Sequence, residues 1–227
     1  MLDKIIPYEK DLFFLINSSH NYFLDCTMWL FSSIKTWSPL IIVIIFHVVY
    51  KRSWQQWLPV LIAIILVFVL SDQFSSHIMK PLIVRPRPSY YPGIMEYVRI
   101  VNDYRGGGVY GFVSGHASNS FGFAILSTLL FKNRIYSIVV FIWATIMAYS
   151  RIYLGVHFVS DIIGGMTAGI LIGYCVYRLY YFVAKKLSQK DIRYLPPGYS
   201  VYHTNILSLV IIGYTLLLAL FSTIIVS

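Results

Sequence analysis

Apolar residues run through this chain in long blocks, and polar positions gather at the joints between them. A block of about 20 apolar residues is the length that crosses a bilayer as a helix. The pattern predicts six spans, at about 27–50, 54–79, 116–131, 135–153, 157–183 and 204–226. The first is the least regular: Asp25 borders it, Lys35 interrupts it, and Pro39 predicts a kink. Ahead of it, Tyr8 to Ser18 read as a short amphipathic helix lying at the membrane interface. In the fifth span Gly165, Gly169 and Gly173 recur every four residues, a small-residue spacing that lets another helix come close. Packing within the chain explains it better than a dimer seam. Trp54, Trp57, Tyr136, Tyr199 and Tyr202 fall near span ends, where aromatic anchors belong. The expected fold is therefore an all-α integral membrane protein, with about six transmembrane helices in one bundle and an interfacial N-terminal helix. The chain is expected to form a single domain, 1–227, with no internal repeat and no low-complexity tract.

Composition sharpens this. Of 227 residues, 58% are hydrophobic and 12% charged, against about 25% charged in a soluble domain. A soluble enzyme, a disordered chain and a disulfide scaffold are excluded. Cys26 and Cys175 lie in apolar stretches and read as buried fillers, neither a bridge nor part of a metal pattern. The first eleven residues, MLDKIIPYEKD, hold five charges and do not read as a secretory signal. The net charge of +9 comes with no basic helix for nucleic acid, and in a membrane protein such an excess marks loops and lipid head groups. Lys51 and Arg52, Lys132 and Arg134, and Lys185, Lys186, Lys190 and Arg193 fall in three loops on one side, expected to be cytoplasmic. The loop 81–113 on the other side carries Arg85, Arg87, Arg99 and Arg105. Basic residues on an outer face run against the usual bias, which points to a site there.

Three segments at that end carry chemistry. Lys80 and Arg87 bracket a proline-rich stretch in which Pro81, Pro86 and Pro88 are expected to exclude helix and hold the backbone extended. A stiff segment displaying such cations suits an oxyanion, although alone it could be a head-group anchor. Ser114, Gly115 and His116 open the third span, where backbone N–H groups and the helix dipole favour an anion and an imidazole can exchange a proton. A capping serine with a structural histidine is the plainer alternative. Ser150 and Arg151 precede His157 and Asp161, and the last two, four residues apart, would share one face of a helix. A carboxylate on one imidazole nitrogen leaves the other free as nucleophile or base. A buried ion pair that only packs helices would leave Arg151 unexplained.

Together, Lys80 with Arg87-Pro88, then Ser114-Gly115-His116, then Ser150-Arg151 with His157 and Asp161, resemble the type 2 phosphatidic acid phosphatase superfamily, over residues 80–161. One departure is Val113, where the family's second motif usually has proline; this should alter loop geometry without removing a chemical group. The resemblance implies a lipid phosphatase in which His157 attacks phosphorus to form a phosphohistidine, oriented by Asp161. His116 would protonate the leaving oxygen and then activate water. Lys80, Arg87, Arg151, Ser114 and the Gly115 amide would hold the phosphoryl oxygens, with no metal or other cofactor required. The implied substrate is lipid A or undecaprenyl diphosphate, or alternatively phosphatidylglycerol phosphate or phosphatidic acid. The implied location is a bacterial cytoplasmic membrane, with the site on the periplasmic or extracellular side and the bilayer itself as partner.

Other residues have open roles. Arg85 is a candidate contact for phosphate or a sugar head group, or else an interfacial anchor. His77, one turn before Lys80, either borders the site or packs; Asp72, a charge inside a span, needs a structural partner. Tyr104, Arg105 and Gly106 to Gly108 form a lid, an entry route or a simple connector. Two other classes compete. A vanadium-dependent haloperoxidase shares the phosphate-binding pattern but is soluble, so only inhibition by vanadate carries over. A transporter would use Asp72 and Asp161 but has no need of His116, His157 and Arg151 at this spacing.

Overall fold

The computed structural model describes residues 6–226; residues 1–5 of the charged N-terminal stretch lie outside them. Ten helices follow in order among the described residues: α1 Ile6–Asn17, α2 Tyr22–Ser32, α3 Ser38–Val49, α4 Trp54–Asp72, α5 Lys80–Ile83, α6 Gly115–Phe131, α7 Arg134–Tyr153, α8 Val159–Ser188, α9 Val201–Leu220 and α10 Ser222–Val226. A π-helical stretch, Gln73–Met79, joins α4 to α5, so that Trp54–Ile83 is one span of 30 residues. With α7, α8 and α9 it makes four helices long and apolar enough to cross a membrane, or five if the bent pair Tyr22–Ser32 and Ile34–Val49 is one span.

Two of the six predicted spans differ from expectation. The first breaks by 72° at Ser33, ahead of Pro39. Pro39 begins α3, where a missing N–H costs nothing, and is not a kink. The third is α6, a helix of 17 residues, about 26 Å long at 1.5 Å per residue. It packs against α8, α7 and α4, so protein and not lipid surrounds it, and small residues serve it better than long apolar ones.

The glycine stripe does what its spacing implies. A Cβ on Gly165 would lie 2.5 Å from the Ser114 carbonyl oxygen, one on Gly169 2.3 Å from that of Ser118, and one on Gly173 2.3 Å from that of Gly122. Helix α8 therefore lies backbone to backbone on α6, and no side chain fits between them. The contact sets the start of α6 against the start of α8, where two of the three motifs sit.

The basic turns meet at one end of the bundle. Arg52 Nη2 donates to the Gly198 carbonyl at 3.3 Å, and Asn133 Nδ2 donates to Asn205 Oδ1 at 2.8 Å. The motifs are at the other end. Helix α1 docks there through the buried face Ile6, Glu9, Phe13 and Asn17. Asn17 Nδ2 donates to the carbonyls of Arg99 at 3.0 Å and Tyr153 at 2.9 Å, fastening α1 to the long loop and to the end of α7.

Two details correct the sequence expectations. Trp54 and Tyr202 are exposed as anchors should be, but Tyr136 is fully buried in the core and Tyr199 stacks on His47. Both cysteines are free; Cys26 is buried, whereas Cys175 is exposed on α8 and fills nothing.

Candidate active site

The proline-rich stretch is less extended than predicted. Pro81 does not exclude helix: it sits in α5, continuous with the π-helical stretch before it, and the helix ends at Val84 in the left-handed region at φ 53°. Extension begins only there: Pro86 bridges to Tyr110, and Arg87 is extended at ψ 159° before a 3-10 turn over Pro88–Tyr90. This turns the Arg87 side chain inward, where it is 3% exposed. Its Nε donates to the Gly108 carbonyl at 2.7 Å and its Nη1 to that of Val156 at 3.0 Å.

The glycine loop packs on the Arg87 side chain. Gly106 has φ +94°, and a Cβ there would come within 2.9 Å of Arg87 Nε, so only glycine lets the backbone pass. Beside it, Tyr104 accepts from Arg151 Nη2 at 3.1 Å through its hydroxyl, with its ring 5.4 Å from the guanidinium. Arg151, at the end of α7 and 2% exposed, also donates through Nη1 to the Ser32 hydroxyl. Its Nε is buried and has no hydrogen-bond partner among the described residues.

His157 and Asp161 meet, but not as neighbours on one helix. His157 lies before α8, whose first residue is Val159, and Asp161 sits in the first turn. The carboxylate folds back over the helix start: Oδ2 accepts from the Phe158 N–H at 2.9 Å and lies 3.4 Å from His157 Nδ1. That second distance is long beside a usual N–H···O bond of roughly 2.9 Å. On the far side of the ring, His157 Nε2 lies 2.9 Å from Arg87 Nη1.

Ser114 is the N-cap of α6, and its backbone N–H donates to the Asp161 carbonyl at 3.0 Å. The second and third motifs are therefore tied by one backbone bond. Gly115 is close enough to α4 that a Cβ would meet Ser75 Oγ at 3.0 Å. His116, in the first turn, donates from Nε2 to the Ser32 carbonyl at 3.2 Å, since a carbonyl can only accept. That leaves Nδ1 to exchange a proton. Ser150 is buried and turned away, its hydroxyl donating to the Met147 carbonyl at 2.7 Å.

Lys80, Arg87 and Arg151 lie within electrostatic reach of one another and of both His116 and His157. None of the three cations makes an ion pair with a carboxylate among the described residues. Among the described residues Lys80 Nζ donates only to Ser76 Oγ, at 3.3 Å. Burial, and then the Arg151 charge, lower the Arg87 pKa to about 10, which leaves it charged at neutral pH.

Arg85 is neither a head-group contact nor an interfacial anchor. It is 2% exposed and lies behind Asp161, donating through Nη1 to Asp161 Oδ1 at 3.0 Å. His77 and Asp72 are exposed; the π-helical stretch shifts the helix phase, so His77 no longer shares the inward face with Lys80. Asp72 accepts from Ser76 Oγ at 3.3 Å. Sequence reasoning missed Ser32, one serine among several at a helix end, and Glu9, which joins Arg85. Glu9 did have a signal: it lies on the helical stripe Ile6, Glu9, Phe13, Asn17.

Fold and site define a multi-pass membrane protein in which two buried arginines and a half-buried lysine lie near two histidines at one end of a helical bundle. Residues 56–185 match the PAP2 superfamily, and the chain belongs to it. It is 35% identical to the lipid A 4'-phosphatase of Porphyromonas gingivalis over 185 residues, 82% of this chain and 78% of that one. It is also 35% identical to the lipid A 4'-phosphatase of Bacteroides thetaiotaomicron over 191 residues, 84% of this chain and 83% of that one. The crystal structure of Aquifex aeolicus LpxE resembles it with a TM-score of 0.54 at 26% identity, covering 75% of this chain and 95% of that one. The chain thus stands among membrane enzymes that hydrolyse lipid phosphomonoesters.

Proposed function

We propose that this protein removes a phosphate from lipid A at the outer face of the bacterial cytoplasmic membrane, through a phosphohistidine on His157. The observation that carries the reading is the group of three cations, Lys80, Arg87 and Arg151, gathered without a carboxylate partner around His157 and His116. Buried like charges repel strongly and call for an anion. A phosphate ester brings two negative charges and three oxygens to match.

A cavity of about 690 Å³ begins at His116 and Ser32 and runs along Ile41, Ile45, Ile65 and Phe68. Those four are themselves exposed, so the cavity opens sideways between α3 and α4, toward the bilayer. Its apolar walls suit acyl chains and favour a lipid over a soluble phosphate. The two lipid A 4'-phosphatase relatives favour lipid A over undecaprenyl diphosphate, phosphatidylglycerol phosphate and phosphatidic acid.

In this mechanism the phosphoryl oxygens take over donors of Arg87, freeing the lone pair of His157 Nε2 for attack on phosphorus. The P–N bond forms as the P–O bond to the sugar breaks. His116 enters this step as the imidazolium, Nε2–H on the Ser32 carbonyl, and gives its Nδ1 proton to the leaving oxygen, while Lys80, Arg87, Arg151, Ser114 and the Gly115 amide hold the equatorial oxygens. A water then gives its proton to His116 and attacks phosphorus, releasing phosphate and restoring His157. Phosphoryl transfer asks mainly for positioning and charge stabilisation, which fixed cations supply.

The test is phosphate release by purified protein in detergent containing EDTA. The panel is lipid A, undecaprenyl diphosphate, phosphatidylglycerol phosphate and phosphatidic acid, each beside His157→Ala. Release from lipid A, absent in the variant, is the expected result. Preference for another lipid overturns the substrate, turnover by His157→Ala overturns the nucleophile, and activity restored only by added magnesium overturns the cation mechanism.

A further inference from the structure

The carboxylate of Asp161 is gripped from two sides. Oδ2 faces His157, while Oδ1 takes a single bond from Arg85 Nη1 at 3.0 Å. The other nitrogen of that fork, Nη2, is occupied by Glu9 Oε1 from helix α1. Glu9 Oε2 accepts from the Ser160 N–H at 2.9 Å, at the start of α8. The Ser160 hydroxyl closes the ring, accepting from Arg85 Nη1 at 2.6 Å and donating to Glu9 Oε1 at 3.1 Å. The Arg85 guanidinium also lies 4.4 Å from the Phe158 ring centre. Arg85 and Asp161 are completely enclosed and Glu9 nearly so.

Buried ion pairs are weak evidence for stability, since apolar residues of similar volume often serve as well. What this one supplies is direction. An arginine fork facing a lone carboxylate prefers to engage both of its oxygens. With Glu9 absent, Nη1 and Nη2 would both be available to Asp161, and Oδ2 would be drawn away from His157. Glu9 takes Nη2, so Asp161 is bound through Oδ1 alone and keeps Oδ2 for the histidine. The ion pairs follow the same division: Arg85 is shared between two carboxylates, Glu9 and Asp161, while Lys80, Arg87 and Arg151 pair with none among the described residues.

We infer that Glu9 and Arg85 are positioning residues for Asp161, which makes helix α1 part of the reaction machinery. That helix lies outside residues 56–185, the segment matched to the superfamily. The inference rests on the reading of His157 as nucleophile and Asp161 as its orienting partner.

The experiment is a double-mutant cycle in kcat and KM on the lipid substrate, with Glu9→Ala, Asp161→Asn and the double variant run beside His157→Ala. Glu9→Ala should lower kcat roughly 10- to 100-fold, the scale of a misplaced catalytic group, with KM little changed. In the Asp161→Asn background the same change should cost nothing further, because the oxygen being positioned has already lost its charge. Glu9→Gln, nearly isosteric, runs the same cycle where Glu9→Ala is not recovered folded by size exclusion in detergent. Losses that multiply in the two backgrounds, or a loss confined to KM, overturn the positioning role while leaving a silent His157→Ala intact. Turnover surviving in His157→Ala overturns the nucleophile reading and the inference with it.

Discussion

His157 Nε2 and Arg87 Nη1 lie 2.9 Å apart, a contact that only one tautomer allows. An arginine has donors and no acceptor, so Nε2 must offer its lone pair and the ring proton must sit on Nδ1, toward Asp161. The resting imidazole is therefore neutral, with its Nε2 lone pair taken up by the Arg87 guanidinium.

Burial, followed by the charges of Arg87 and Arg151, holds the His157 pKa well below the ordinary 6.5. With the folded value below the free one, the neutral form persists as pH falls through 6.5 and is lost only at more acid pH. Nitrogen-15 NMR of histidine-labelled protein should show His157 as the neutral Nδ1–H tautomer at pH 6.5, and its acid limb in kcat/KM should lie below that pH. An imidazolium signal at pH 6.5 would contradict the tautomer.

Arg87→Lys keeps a charge but loses the fork that reaches the Gly108 and Val156 carbonyls together with His157. It should lower kcat/KM by roughly 10²- to 10³-fold, the usual cost of losing one donor to a developing anion. Steady-state kinetics decide it, and a loss under threefold would mean that charge alone suffices.

Asp161→Asn keeps the shape of the side chain but lowers its grip on the imidazole proton. The turnover rate should fall by roughly 10²- to 10⁴-fold while the protein remains folded. Circular dichroism and size exclusion report the fold, and single-turnover rates report the chemistry. Wild-type rates would remove Asp161 from the mechanism.

Gly165→Ala and Gly173→Ala both push α8 away from α6, since each Cβ meets a backbone carbonyl at 2.5 Å or less. Each should cost about 1–3 kcal/mol by overpacking, visible as lower thermal stability in detergent. Only Gly165 abuts Ser114, so Gly165→Ala should also lower the specific activity of the folded fraction, whereas Gly173→Ala should not. Equal activity losses would mean that the two helices move as one rigid unit.

Much of the molecule was legible from local order along the chain. Hydropathy marked the helices because lipid contact demands long apolar blocks, and the four-residue glycine period marked α8 against α6 because one helix face repeats at that interval. The motif residues Lys80, Arg87, His116, Arg151, His157 and Asp161 could be picked out because their types and spacings carry chemistry, and the folded chain brings them to one end. Other features depend on partners with no periodic relation in sequence. Arg85 meets Asp161 at a separation of 76 residues, Arg151 meets Ser32 at 119, and Glu9 meets Ser160 at 151. Nor could spacing say that His157 stands outside α8, because a helix begins where its first N–H groups find a cap, and here Asp161 folds back to supply it. Sequence by itself determined which residues could do the chemistry and that a membrane would surround them. Tertiary packing alone decided which cations have no carboxylate partner among the described residues and which, like Arg85, are ion-paired, because those partners come from distant parts of the chain.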